Sequence, residues 1–575
     1  MCHAGRVNSA SQLSGTGLEN TDGSADLSDG ESPGWYRRTV GMVSPSTAVM
    51  AIVVLAVVVS YFMRSAIDDA YISFRYAKNL VEGRGLVFNP GERVEGYTNF
   101  LWTLVAAIPI WLGVSVEQFL HVITAASAGV AVWATYRLGR LVFRRDDIAM
   151  VGAILVGTNA TFLSFATSGL ETMPQTALLA LAVCTVASNP KTLPSVRAVV
   201  TFSALGAVAL LIRLDSTVVV GPVVVLWLLQ MRRAGADWQS VVRRLAPGAA
   251  MAMVLLVPWF VWKVSYYGEW VPNTFFAKSD SSALNPMGVI FLAMFVITFF
   301  LFVPVGVLAS KFASLAKPPQ RLLTSIVVLW CCYIVYAGGD WMDFRFMVAV
   351  MPYLYLLLAW SALSLRAQWF QIATLTCCLI GSGVHWFYPG AANVDGLSTV
   401  RLLTVQNPPN WVTEGKALGR YFPGGLDREH QVTISVVAAG AVPYFSDLPA
   451  IDMVGLTDAS VAREGLTIPY SSGIGKPGHL RISTMDYLRS RGVNLVIGLP
   501  VTRPAGVAAG YRLDDEIKFM FHGYPVSREE LGPVQVVEIP VDAGQALLAV
   551  YLTPHPEVDQ HIREDGWRVV PILDR

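Results

Sequence analysis

Two adjacent carboxylates, Asp68 and Asp69, follow closely on an apolar run from Thr47 to Met63 that is long enough to enter a bilayer. Ionised carboxylates are costly beside hydrocarbon, so an acid pair at a membrane mouth points to proton transfer or cation binding. A plain structural role competes with that reading. Asp68 could be an N-cap, or Asp69 could sit in the first turn of the helix that Tyr71, Phe74, Leu80 and Val81 predict by their spacing. Further chemistry-bearing stretches recur downstream. SGLET (168–172) and RLDS (213–216) put Glu171 and Asp215 at helix starts, either as polar walls for a polyol or as caps and partners of Arg213. GGDWMDFRF, ending at Phe346, combines Asp340, Asp343 and Arg345 with two glycines that permit unusual backbone angles. YYGEWVPNTFFAK (266–278) sets Asn273 and Lys278 among Tyr266, Tyr267, Trp270, Phe275 and Phe276; such flat faces suit sugar rings but also suit an interfacial aromatic belt. Arg345 and Lys278 are the candidates for binding a phosphate by charge-assisted bonds.

The elements that must position these groups are membrane helices. The chain has 575 residues, of which 54% are hydrophobic and 14% charged. Its mean hydropathy of +0.50 is far above that of soluble proteins, so it reads as a polytopic membrane protein. Runs able to cross about 30 Å of hydrocarbon fall at 45–63, 117–136, 148–167, 171–188, 197–212, 216–231, 247–265, 287–309, 322–337, 347–365 and 368–386. They predict about eleven transmembrane helices. Residues 1–44 read as a disordered cytoplasmic tail, because they are rich in Ser, Gly and acids and poor in large apolar side chains. With no apolar core at the extreme N-terminus, Thr47 to Met63 should remain as an anchor.

Loop charge orients the chain. If Phe100 to Val114, which is short and contains Pro109, stays at the outer surface, then the basic loops at 137–145, 191–197, 232–244, 311–321 and Arg366 all fall inside, as the positive-inside rule requires. The external loop 64–116 and the four stretches above then share one outer face of a 45–386 membrane domain. Beyond it, 387–575 reads as a soluble extracytoplasmic mixed α/β domain, with strands near 432–437, 493–497, 534–539 and 547–552 and a helix at 485–491.

Several functions are disfavoured. Of the six cysteines, Cys2 is in the tail and the other five lie in apolar runs, which suggests neither a disulfide framework nor a CxxC metal site. No Walker, dinucleotide-binding or zinc-protease pattern occurs, so neither an ATP-driven pump nor an organic cofactor is expected. The net charge of +1 gives no reason to expect nucleic acid. GAVPYFSDLPAIDMVGLTD (440–458) and GKPGH (475–479) are glycine-rich loops, and His479 reads as structural.

The layout resembles the GT-C superfamily of polyprenyl-phosphate-dependent membrane glycosyltransferases. Within it, DDAYISFRYAKNLVEGRGLVFNPGERVEGYTN (68–99) is similar to the motif of the bacterial terminal arabinofuranosyltransferase-like group, as are SGLET, YYG..VPNTFFAK, GGDWM.FRF and GA.PY.S.LPAIDM.GLTD. The resemblance implies that Asp68 and Asp69 are the catalytic pair. Substrate-binding positions would be Arg75, Glu95, Asn99, Glu171, Asp215, Tyr267, Asn273, Lys278, Asp340 and Arg345. It implies transfer of arabinofuranose from a polyprenyl-phosphate donor to an extracytoplasmic cell-envelope glycan, lipid or protein, at the plasma membrane. GERVEGYTN stands where arabinan-building members have GERVEANTS, so a polyprenyl-phosphate mannose-type hexosyltransferase is the alternative, and a lipid-linked-sugar transporter the next. A divalent cation beside the first-loop acid is left open. The enzyme reading requires a cavity between Asp69 and Arg345.

Overall fold

The computed structural model describes residues 44–187, 194–278, 286–318, 320–387, 410–468, 479–506, 517–518, 520–542 and 544–570. The tail and most of GKPGH lie outside them. In chain order the membrane half consists of α1 (Pro45–Phe62), α2 (Asp68–Val81), α3 (Phe100–Trp111), α4 (Val116–Phe143), α5 (Asp146–Gly157), α6 (Ala160–Phe165), α7 (Thr172–Ala187), α8 (Val196–Ile212), α9 (Thr217–Arg233), α10 (Trp238–Tyr267), α11 (Asn273–Lys278), α12 (Pro286–Thr298), α13 (Phe302–Ala309), α14 (Gln320–Ala337), α15 (Arg345–Val348), α16 (Met351–Leu363) and α17 (Gln368–Phe387).

Each expected span coincides with helix, but several are interrupted. Six helices among the described residues are long and apolar enough to cross a membrane, or seven if the pair bent by 107° at Phe299–Leu301 counts as one. The chain is thus a multi-pass membrane protein. The expected single helix over 148–167 breaks at Thr158, because the Asn159 side chain accepts a hydrogen bond from Phe162 N at 2.9 Å and starts a new helix. The bend near 300 occurs where Phe300 adopts φ +50°. Helix α4 runs seven residues past its expected end at 136, since Arg140 pairs with Asp146 at 2.7 Å and basic residues suit a helix C-terminus. At 12 residues, α3 is too short to cross by itself.

The C-terminal region is the expected mixed α/β unit. It contains α18 (Trp411–Tyr421), β1 (Ile434–Val436), α19 (Ala441–Ser446), β2 (Ala450–Asp452), β3 (Leu466–Thr467), β4 (Arg481–Ile482), β5 (Leu495–Gly498), β6 (Thr502–Pro504), β7 (Gln535–Asp542), β8 (Gln545–Tyr551) and β9 (Arg568–Val570). The main sheet runs β2-β1-β5-β8-β7-β9, with β6 also on β8; β2-β1-β5 pair in parallel and the rest antiparallel, while β3 and β4 form a separate pair.

Helix α2 joins the two halves. Tyr71 and Phe74 pack into the membrane core, whereas Ile72 and Tyr76 pack into the core that includes Leu418, Ile434 and Leu495. This explains why α2 lacks a solvent face: ten of its fourteen residues are buried, among them Asp68, Arg75 and Asn79.

Candidate active site

The two acids begin α2 and diverge immediately. Ile67 is the N-cap residue, and no side chain caps this helix. Successive residues on a helix point about 100° apart, so Asp68 faces the C-terminal region and Asp69 faces the membrane half. Asp68 is buried, its Oδ2 accepting from Gly440 N at 3.0 Å and its Oδ1 from Ala441 N at 2.7 Å. It therefore caps α19, in a region 372 residues away. Burial pushes its carboxyl up to about 7; the Ala441 amide opposes that rise and the neighbouring Asp69 charge adds to it.

Asp69 instead lines a cavity of about 420 Å³. The cavity wall is assembled from every loop that the sequence leads one to expect on the outer face: Ser73 and Asn99 from the first loop, Glu171, Arg213 and Asp215, then Pro272, Phe275 and Lys278, and finally Asp340 and Arg345. Asp69 is half-buried and accepts no hydrogen bond among the described residues. Burial raises its pKa, and Arg345 and Lys278 are the cations that oppose the rise.

The polar walls are tied down. Glu171 accepts from Asn99 Nδ2 at 2.8 Å and pairs with Arg213 at 2.7 Å; Arg213 also holds Asp215 at 2.6 Å, and Gln175 Nε2 donates to Asp215 at 2.6 Å. Arg345 Nε donates to Asp340 at 2.7 Å. Asp343 turns away and meets His385 at 3.0 Å. The loop carrying Asp340 and Arg345 requires its glycines: Gly339 has φ +83°, and a Cβ there would lie 2.9 Å from Phe291. Lys278 differs from these groups. Protein surrounds it, yet its side chain remains accessible inside the cavity, and it makes no ion pair among the described residues. Burial lowers its pKa, as does nearby Arg345.

Four expected substrate-binding residues do not line the cavity. Arg75 commits four of its five N–H donors to the carbonyls of Phe88, Pro443 and Leu448 and to Asn89 Oδ1, away from the cavity. Glu95 is buried against Lys263 at 2.8 Å. Tyr267 bonds Tyr97 and the Leu86 carbonyl. Asn273 Nδ2 donates to the carbonyls of Gly455, Leu456 and Asp458. All four tie outer loops to one another or to the C-terminal region. Of the aromatic run, only Phe275 reaches the cavity; Tyr333 and Tyr336 of α14 do so too, and nothing in the sequence sets them apart from other span aromatics.

The Glu95–Lys263 pair gives a stability prediction. Burial pushes Glu95 up to about 7, and removing one partner of a buried pair costs about 3–5 kcal/mol. Lys263→Met should lower the melting temperature of the detergent-solubilised protein. Glu95 can bind a proton instead of remaining a buried anion, so the loss should be larger at pH 8 than at pH 6, and Lys263→Met/Glu95→Gln should recover most of it.

Among the described residues no three His, Cys, Asp or Glu side chains gather to hold an ion, and the acids that share the cavity with Asp69 are already bonded to arginines or amides.

A family model described as a domain of unknown function (DUF8728) matches residues 412–532. A terminal β-(1→2)-arabinofuranosyltransferase of Mycobacterium tuberculosis is 28% identical over 348 residues, 53% of this chain and 54% of that protein. Its namesake from Corynebacterium glutamicum is 30% identical over 322 residues, 49% and 46% respectively. The chain thus spans about half the length of these curated relatives. Among solved structures, ArnT from Cupriavidus metallidurans bound to undecaprenyl phosphate superposes with a TM-score of 0.53 at 15% identity, covering 88% of this chain and 97% of that one. The Archaeoglobus fulgidus oligosaccharyltransferase gives 0.52 at 12%, covering 85% and 73%. The chain therefore has the GT-C membrane fold with a C-terminal α/β region, and over about half its length it resembles the terminal arabinofuranosyltransferases.

Proposed function

We propose that this protein is a membrane glycosyltransferase that moves a sugar, arabinofuranose, from a polyprenyl-phosphate donor to a glycan, lipid or protein acceptor on the extracytoplasmic side of the cell envelope. One observation carries the reading. A single cavity is lined by Asp69, a carboxylate of raised pKa that accepts no hydrogen bond among the described residues, by Lys278, which makes no ion pair among the described residues, and by the guanidinium of Arg345.

In this reading Asp69 takes the proton of the acceptor hydroxyl as that oxygen bonds to the sugar C1. The C1–O bond to phosphate breaks, and its electron pair leaves with the polyprenyl phosphate. Lys278 and Arg345 balance the charge on that leaving group without protonating it. Asn99, Glu171 and Asp215, held by Arg213 and Gln175, present fixed polar groups to sugar hydroxyls. Domain limits at 1–44, 45–386 and 387–575 belong to the same proposal, as does the outward placement of the cavity.

The test is transfer of labelled sugar from synthetic decaprenyl-phosphate arabinofuranose and mannose, in parallel, by wild type and Asp69→Asn. Arabinofuranose transfer lost in the variant supports the reading; a variant that matches wild type removes it. The same assay checks Lys278. Lys278→Gln is expected to lower kcat/KM by about 10²-fold, the scale of one lost preorganised donor to a developing anion, and Lys278→Arg should restore part of it.

A further inference from the structure

Leu456 is the one residue of the described C-terminal region that lines the cavity. Its loop is fixed from both halves of the molecule. From within the C-terminal region, buried Asp452 accepts from Val454 N at 2.9 Å, Gly455 N at 3.2 Å and Thr457 N at 2.8 Å. Gly455 has φ +80°, and a Cβ there would lie 2.6 Å from Ala462 N, so the turn admits only glycine. From the membrane half, Asn273 Nδ2 donates to the carbonyl of Leu456 itself at 3.1 Å, and to those of Gly455 and Asp458. A Cβ on Gly96 would lie 2.6 Å from Thr457 Cγ2, so the first loop and this loop are in close contact.

An apolar branched side chain is thus carried on a fixed loop into a wall where Ile72, Leu170 and Val271 also lie beside Asp69, Asn99 and Lys278. It offers a sugar hydroxyl no hydrogen-bond partner, and a hydroxyl buried against it would lose the bond it makes to water. We propose that Leu456 is a specificity-determining residue that selects the donor sugar by size: arabinofuranose and mannopyranose each carry one exocyclic hydroxymethyl group, and the hexopyranose ring that Leu456 excludes is larger by one CHOH unit. The proposal rests on the cavity being the site of the donor sugar. It assigns the region matched by the domain of unknown function a part in choosing the substrate as well as in closing the fold.

The experiment compares wild type, Leu456→Ala and Leu456→Phe in binding and transfer of decaprenyl-phosphate arabinofuranose and decaprenyl-phosphate mannose, with melting temperatures recorded for each. One methylene in an apolar pocket changes discrimination by about 10–200-fold. Leu456→Ala should therefore shift the ratio of kcat/KM toward mannose by at least about tenfold, and Leu456→Phe should shift it the other way. A folded Leu456→Ala whose ratio stays within twofold of wild type overturns the role of Leu456 and leaves the transferase reading intact. Wild type that neither binds nor transfers either donor overturns both. If Leu456→Phe does not fold, Leu456→Ala alone still decides.

Discussion

Asp69→Asn is expected to reduce transfer by about 10²–10⁴-fold, the contribution of a positioned general base, in a protein that folds and melts as wild type does. The reason for the second half is structural. Asp69 accepts no hydrogen bond among the described residues, so the isosteric amide breaks nothing and removes a charge whose burial costs stability. The pH dependence follows with its sign fixed. Transfer needs the ionised carboxylate, and burial holds the Asp69 pKa above that of an ordinary aspartate. Activity should therefore be complete at high pH and lost as pH falls through that raised pKa, with the acid limb above about 4, where a free aspartate titrates. A pH–kcat/KM profile checks this, and a limb at or below 4 would mean that Asp69 is not the base.

Gly440→Ala is expected to act by another route, through stability. A Cβ on Gly440 would lie 1.9 Å from the Asp68 carbonyl oxygen and 2.7 Å from its Cγ, and backbone on both sides leaves no flexible group to yield. Overpacking of this kind costs about 1–3 kcal/mol, and here it also pulls two N–H groups away from a buried carboxylate. The C-terminal region should loosen on α2, seen as a lower melting temperature and faster proteolysis within 410–570, with transfer falling in proportion. Asp68→Asn makes the milder version. Its amide can accept one of the two N–H groups but turns a donor toward the other, a mismatch worth about 1–3 kcal/mol. The two neighbouring acids are thereby distinguished. Asp69→Asn should yield a stable, inactive protein, whereas Asp68→Asn should yield a destabilised one with activity lost in step with structure. A stable but inactive Asp68→Asn would return Asp68 to the chemistry.

The interface explains why so specific a motif occupies the first loop. Arg75 reaches the Pro443 and Leu448 carbonyls, Lys78 pairs with Asp447 at 2.8 Å, and Asn89 both donates to and accepts from the Ala450 backbone. The rings of Tyr71 and Phe74 meet that of Tyr444 in tilted and edge-to-face contacts. Residues that look like a substrate-binding signature along the chain are in large part a socket for the C-terminal region. A polar residue in a linear motif shows that it is committed to a partner, but the partner can be a backbone carbonyl as readily as a ligand.

The sequence by itself determined the membrane class, the approximate positions of the apolar helical runs within 45–386, the α/β character of the C-terminal region and the set of loops that meet at the cavity. Those features are written in local composition: hydropathy sets a span, alternation sets a strand, and glycine or proline sets a break. It also put Asp69, Asn99, Glu171, Asp215, Lys278, Asp340 and Arg345 forward as one group, because a membrane gives loops only two sides and charge bias chooses between them. Only the tertiary structure divided Asp68 from Asp69. Their difference is a 100° turn of helix read against a region 372 residues distant, and no local pattern encodes which side that region takes. It likewise took the fold to spend Arg75, Glu95, Tyr267 and Asn273 on contacts within the protein, and to leave Lys278 without an ion pair among the described residues, because whether a buried group is satisfied depends on neighbours brought together from far along the chain.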